Sequence, residues 1–331
     1  MSLIAAGILI GPKTPCALRN GGAHPPIAAL TYRCVVANNT SPKRLHDTQS
    51  ALLVAPCADT PYPFAAKQRS CACKTEYWFR EAHLLYPAAR FIGKIEDDTI
   101  VHWPSLVTLL RLHAHLSMAW FGHFQWAAHD IATGKGKYCQ GGDMYLHRLA
   151  PSKCVVAGRT DVLAPFATGA NDIRTRDLVA ATKSIRAPYL GTCDGGQGIR
   201  VTHALAGMRT DNTTRASVTI VHLLGKYFRR TPPANASQPT TLVAHPYKDK
   251  TRRLAWNVSI PIENASVCMT AWVTRNRHNQ TVLEWRRNRS CTQREEIDTD
   301  RRSTRGQKVA RARGPRSVPQ KARARPRDSN A

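Results

Sequence analysis

Three adjacent carboxylates, Glu96, Asp97 and Asp98, are the residues of this 331-residue chain best suited to do chemistry. Side by side they repel one another, and either a cation or solvent must relieve the repulsion. Carboxylate oxygens suit hard divalent ions such as Mg²⁺ or Mn²⁺, which typically bridge protein acids to phosphates. A bare acidic triplet is more commonly a solvated loop. Here the setting argues otherwise: an apolar run precedes it, a turn follows, and acids are scarce in a basic chain. Two further residues invite a role. Asp194 stands alone before Gly195-Gly196, which as a dipeptide context is more often simply a turn. His222 lies near the end of an apolar run, where a histidine is more often a satisfied core residue than a ligand.

The elements that must position these groups follow from periodicity. Arg90 to Ile95 is short and apolar (Phe91, Ile92, Ile95), bounded by Pro87 and Pro104, and reads as a strand buried in a sheet. The acids therefore sit at its carboxyl end, where open α/β sheets bind ligands. Lys74 to Tyr86 reads as a helix with Tyr77, Trp78, Ala82, Leu84 and Leu85 on its apolar face, ended by Pro87. After the acids, Pro104 suits a first helical turn, and Leu106, Leu109, Leu110 and His113 keep helical spacing. Leu30–Ala37, Ala51–Ala55, Val155–Ala157 and Leu254–Ile262 are further strand candidates. Ala119–Trp126 is aromatic and reads as core, and Gly134–Tyr138 as a turn. Thr175 or Asp172 can cap a helix running to Ile185. Ser217 to Leu224 is the best strand signal of the second half, with His222 near its carboxyl end. The expected organisation is a loosely organised segment 1–60, one α/β domain over 61–285, and a disordered Arg-rich tail over 286–331.

Composition narrows the setting. The formal charge is +26, and residues 301–331 hold eleven Lys/Arg against the single acid Asp328, a net +10. A basic surface suits anionic partners without choosing among them. Ten cysteines, with no paired C-x-x-C sets, favour disulfides in an oxidising compartment over a structural zinc site. Eight of the twelve asparagines begin N-x-[S/T] sequons, where chance gives about 1.6, which argues for passage through a secretory lumen. The apolar start, Met1 to Ile10, is too short to span a bilayer, and no other stretch approaches twenty apolar residues.

Taken together, three blocks between about Lys74 and Lys226 resemble the β-1,3-glycosyltransferases of the galactosyltransferase family. The first is the strand and acidic triplet, Lys94-Ile-Glu-Asp-Asp-Thr-Ile-Val101. The second is Phe166-Ala-Thr-Gly-Ala-Asn-Asp-Ile-Arg-Thr-Arg-Asp-Leu178. The third is the histidine-bearing strand Thr219-Ile-Val-His222. The resemblance implies a GT-A-type α/β domain with a mixed, mostly parallel central sheet flanked by helices. It implies an inverting hexosyltransferase that moves galactose or N-acetylglucosamine from a UDP-sugar to a glycan or glycoprotein in β-1,3 linkage. Glu96, Asp97 and Asp98 would bind the nucleotide sugar. Asp98 and His222 would ligate Mn²⁺, and Asp194 would be the general base. It also implies a type II membrane anchor and a Golgi location, although no transmembrane segment is visible. The family usually shows E-D-V-x-x-G at the base, whereas this chain has Cys193-Asp-Gly-Gly-Gln-Gly198.

Three other readings stay open on the residues alone. One is a metal-dependent phosphohydrolase or nuclease, which lacks a second acidic cluster at a later strand end. Another is a catalytically inactive homologue with a polyanion-binding tail. The third is an RNA- or DNA-binding protein that uses the Arg-rich tail, which suits non-specific polyanion binding. No specific nucleic-acid partner is expected, since the aromatic–basic interleaving of single-strand binders is missing.

Overall fold

The computed structural model describes residues 2–11, 28–40, 52–59, 64–130, 135–143, 162–168, 171–185, 195–207, 216–224, 228–229, 242–244, 266–275 and 281–287. In chain order the elements begin with β1 (Ile4–Leu9), β2 (Leu30–Ala37), β3 (Leu52–Ala55), α1 (Phe64–Leu85), β4 (Phe91–Glu96), β5 (Ile100–Val101) and α2 (Trp103–Leu112). They continue with β6 (Ala119–Gly122), β7 (Phe124–Asp130), β8 (Lys135–Asp143), β9 (Val162–Ala167), β10 (Asp172–Thr175), α3 (Arg176–Thr182) and α4 (Gly195–Gly207). The last are β11 (Ser217–Leu223), β12 (Phe228–Arg229), β13 (Val243–Ala244), β14 (Ser266–Arg275) and β15 (Thr281–Arg287). All of them belong to one unit, residues 1–288.

The chain is an α/β protein with a mixed central sheet, in the order β3-β2-β1-β4-β10-β6-β11-β14-β15-β9-β7-β8. β5, β12 and β13 form a separate small sheet. The expected mostly parallel sheet is not what is found: among the described residues antiparallel ladders outnumber parallel ones six to five. The parallel part is the block β3-β2-β1-β4. β10 then enters antiparallel to both β4 and β6, and the hairpin β14–β15 adds two more antiparallel pairings. Of these antiparallel pairs only β14–β15 is joined by a short connection.

Within residues 1–60, expected to be loosely organised, lie three strands of this block. β1 (IAAGIL) is buried along its whole length between β2 and β4. A strand covered on both faces need not alternate, and its small residues hide it from a periodicity test. Gly7 shows why they are small. A Cβ there would lie 2.3 Å from the Trp78 ring, so α1 can seat on the sheet only over a glycine. Trp78 then donates its indole N–H to the Gly93 carbonyl at 2.8 Å. That contact joins α1, β1 and β4.

Helix α1 starts at Phe64, ten residues before the sequence-based expectation of Lys74, and β8 forms where a turn over Gly134–Tyr138 was expected. α2 carries Pro104 in its first turn as expected. α3 starts after Thr175, yet that hydroxyl does not cap the helix. It accepts from the Ala119 amide at 2.9 Å, because β6 lies beside it. β15 runs through Arg287, so its last two residues fall inside the expected tail 286–331. Val155–Ala157, Leu254–Ile262 and the rest of that tail lie outside the described residues.

α1, α3 and α4 cover one face of the sheet. Its main core cluster gathers Trp120, Phe124, Trp126, Phe166, Ile199 and Ile220 under α4. On the other face Phe91 and Phe121 meet edge to face at 5.3 Å, with His113 against Phe121. No described helix is long and apolar enough to cross a membrane.

Burial, helped by the charge of His115, pushes the His113 imidazole down to about 4 from 6.5. The unfolded chain therefore binds more protons than the folded one between those values. This stability is complete above pH 6.5 and is lost as pH falls towards 4, by about 3 kcal/mol at most. Urea unfolding followed from pH 7 to pH 4 should lose part of its acid slope in His113→Leu. An unchanged slope would show that His113 is not the group that charges.

Candidate functional site

The carboxyl ends of β1, β2, β3 and β4 share one edge, since the four strands run parallel. β1 is the point where strand order reverses: β2 and β3 lie to one side of it and β4 to the other. Open α/β sheets bind ligands at such a switch point. The acidic triplet, beginning with the last residue of β4, lies at this edge. Asp97 Oδ2 accepts from the Gly11 amide, just beyond β1, at 3.3 Å. The Thr99 amide donates to the Glu96 carbonyl at 3.0 Å and closes the turn through the acids. Asp97 and Asp98 are half-buried.

Glu96 differs from its neighbours. It accepts from Lys94 Nζ at 2.9 Å, and Lys94 is fully buried. Residues two apart on a strand point to one face, so the pairing follows from spacing alone. A buried ammonium needs a counter-charge. Glu96 therefore serves Lys94, while Asp97 serves the Gly11 amide.

α1 and the residues after β3 meet the end of β1 at the same edge. Lys74 Nζ donates to the Ile10 carbonyl at 2.8 Å and to Asp59 Oδ1 at 2.9 Å, and Ser70 also donates to Asp59. The Cys57–Cys73 disulfide ties the same two segments covalently, and Cys34 and Cys71 are disulfide-bonded as well.

His222 reaches this edge by register. It stands opposite Gly122, β6 pairs with β10, and Asp172 stands opposite Lys94. Three strand spacings, about 14 Å, thus separate β11 from β4. His222 is fully buried, and its Nδ1 accepts from the Phe124 amide at 3.2 Å. With Nδ1 accepting, the ring proton of a neutral imidazole sits on Nε2, and neither nitrogen then offers a lone pair to a metal. Ligation by His222 requires that bond to be given up. Its ring lies 5.1 Å from that of His123, whose Nδ1 lies 3.1 Å from the Leu223 carbonyl. Among the described residues no group of three His, Cys, Asp or Glu converges to hold a metal. Asp194 lies outside the described residues; α4 begins at the next one, Gly195.

Sequence reasoning missed a set of buried charges behind this edge. Asp172 and Arg174 are both fully buried and form a two-point ion pair, Nη2–Oδ2 at 2.7 Å and Nε–Oδ1 at 3.0 Å. Trp120 Nε1 donates to Asp172 Oδ1 at 2.6 Å, and Arg174 Nη2 donates to Gln197 Oε1 at 3.0 Å. The guanidinium also lies over the Phe79 ring at 4.1 Å. Arg200, buried beside it, donates to the Thr182 and Lys183 carbonyls at the end of α3. Burial and the Arg174 charge lower its pKa to about 10. Only one signal was available beforehand, the Asp-Ile-Arg alternation that puts both charges on one strand face.

No family model matches this chain, and no curated protein matches it in sequence.

Removing one member of the Asp172–Arg174 pair strands a charge in the core. Arg174→Met should therefore destabilise by about 3–5 kcal/mol, and Asp172→Leu combined with Arg174→Met should recover much of the loss. Chemical unfolding of the single and double variants measures this. A double variant no better than the single one would show that the pair is not an isolated electrostatic unit.

Proposed function

We propose that this chain is a metal-dependent inverting hexosyltransferase that uses a UDP-sugar, with a GT-A-type domain. One observation carries the reading. Asp97 and Asp98 stand at the carboxyl edge of the parallel block, where strand order reverses, and Asp97 accepts from the amide of Gly11, the second residue beyond β1. Nucleotides bind doubly wound sheets at that kind of place. The half-buried acid pair suits a hard cation held mainly by phosphate oxygens and water. The sequence blocks around Glu96, Phe166 and His222 give the reaction class.

In this mechanism Asp98, with Asp97, would hold Mn²⁺. Once bound, that ion would supply Lewis-acid relief of charge on a departing diphosphate. Glu96 keeps Lys94 neutralised and orients the turn. Asp194 takes the proton from an acceptor hydroxyl, provided its ionised carboxylate lies within hydrogen-bond reach. Attack from the face opposite the diphosphate inverts the anomeric carbon. His222 joins the ion only if it releases the Phe124 amide. The disulfides and the excess of sequons support a secretory lumen as the place of action, with a glycan or glycoprotein as acceptor.

Asp98→Ala should abolish Mn²⁺-dependent UDP binding, measured calorimetrically, without changing the far-UV spectrum. Full binding in that variant would remove the metal role. Asp194→Asn should stop sugar transfer at least a hundredfold while sparing UDP binding, since a general base contributes about that much or more. Loss of both would make Asp194 structural.

A further inference from the structure

One buried side chain on this edge has its hydrogen-bonding capacity unspent. Asn171 is fully buried, yet neither its amide oxygen nor its amide nitrogen has a hydrogen-bond partner among the described residues. The Thr168 hydroxyl, also shielded from solvent, shares this state. Proteins rarely leave buried polar atoms unmet, and doing so is destabilising.

The two residues are neighbours at a defined place. The Asn171 backbone N–H donates to the Thr168 carbonyl at 3.3 Å, and the Thr168 backbone N–H donates to the His123 carbonyl at 2.8 Å. Gly122, at the end of β6, has no room for a side chain. A Cβ there would lie 2.7 Å from the Asn171 carbonyl oxygen and 2.8 Å from the Ala167 Cβ. Asn171 is therefore pinned against β6. Its next residue, Asp172, opens β10 opposite Lys94. Asn171 thus stands between the carboxyl ends of β4 and β6, on the same edge as Asp97 and Asp98, with the His123–His222 ring pair close by.

We propose that Asn171 and Thr168 form a hydrogen-bonding subsite for adjacent hydroxyls of a neutral hexose. An amide donates and accepts, and so does a hydroxyl. Vicinal sugar hydroxyls meet both requirements at once. An anion could accept from Nδ2–H and Oγ1–H but would leave Oδ1 without a donor, and an apolar group would leave the whole amide unmet. Thr168 is half-buried and is the member that a ligand reaches first. That the hexose arrives on UDP rests on the transferase reading; the subsite itself does not.

The test uses Asn171→Leu, close to isosteric, and Thr168→Val in the full chain. Without ligand, Asn171→Leu should melt about 2–4 °C higher, because an unmet polar group has been replaced by an apolar one. With Mn²⁺, both variants should bind UDP-galactose or UDP-N-acetylglucosamine about tenfold more weakly than the wild type, with UDP affinity unchanged. A lower melting temperature for Asn171→Leu would mean that a structural partner or an internal water already satisfies the amide. Undiminished UDP-sugar affinity in both variants would equally overturn the subsite. Should the wild type ignore every UDP-sugar, thermal shifts with free galactose and free N-acetylglucosamine separate the two ideas. A shift that Asn171→Leu abolishes keeps the subsite and removes the transferase reading. No shift with either sugar removes both.

Discussion

The middle of this molecule depends on the ion pair between Asp172 and Arg174. Two charges fully removed from water carry a large desolvation cost, which a two-point pair offsets only with further hydrogen bonds. The Trp120 indole supplies one to the carboxylate and Gln197 supplies one to the guanidinium. The Phe79 ring stacks beneath the guanidinium. Each of these partners comes from a different element: β6, α4 and α1. A one-residue slip of β10 would turn Asp172 and Arg174 to the opposite face and away from all of them. The pair therefore sets the register of the antiparallel strand on which the sheet changes direction.

That change of direction gives the candidate site its shape. Up to β4 the sheet is a parallel block whose carboxyl ends form one edge. β10 enters in reverse and brings Asn171, at its start, to the same edge at which β4, β6 and β11 finish. One antiparallel strand thus inserts a polar residue between parallel strand ends. Trp78 over Gly7 holds the other half of the arrangement, since it locks α1 onto β1 and β4. Lys74, four residues earlier on α1, then reaches the Ile10 carbonyl where β1 ends.

Much of this was legible in the residues. The strand into the acids, the turn after them, the helix at Pro104 and the strand bearing His222 all carry local signals, and the structure has them. What was not legible falls into two kinds. β1 was missed because a strand buried on both faces shows no alternation, so its short apolar run, IAAGIL, carried no strand period. The buried charges were invisible because Lys94, Asp172, Arg174 and Arg200 look like surface residues until their partners, some of them distant in the chain, are known.

Local chemistry alone determined that β4 ends in three carboxylates and that Lys94 and Glu96 share a face, because strand geometry has a period of two. It could not determine which carboxylate would be consumed by a buried lysine, since that depends on what covers Lys94. Only the tertiary structure decided that Asp97 would meet Gly11, 86 residues away, and that His222 would spend Nδ1 on the Phe124 amide. Both are pairings between strands, and hydrogen bonds across a sheet are set by which strands become neighbours rather than by the residues beside them in the chain.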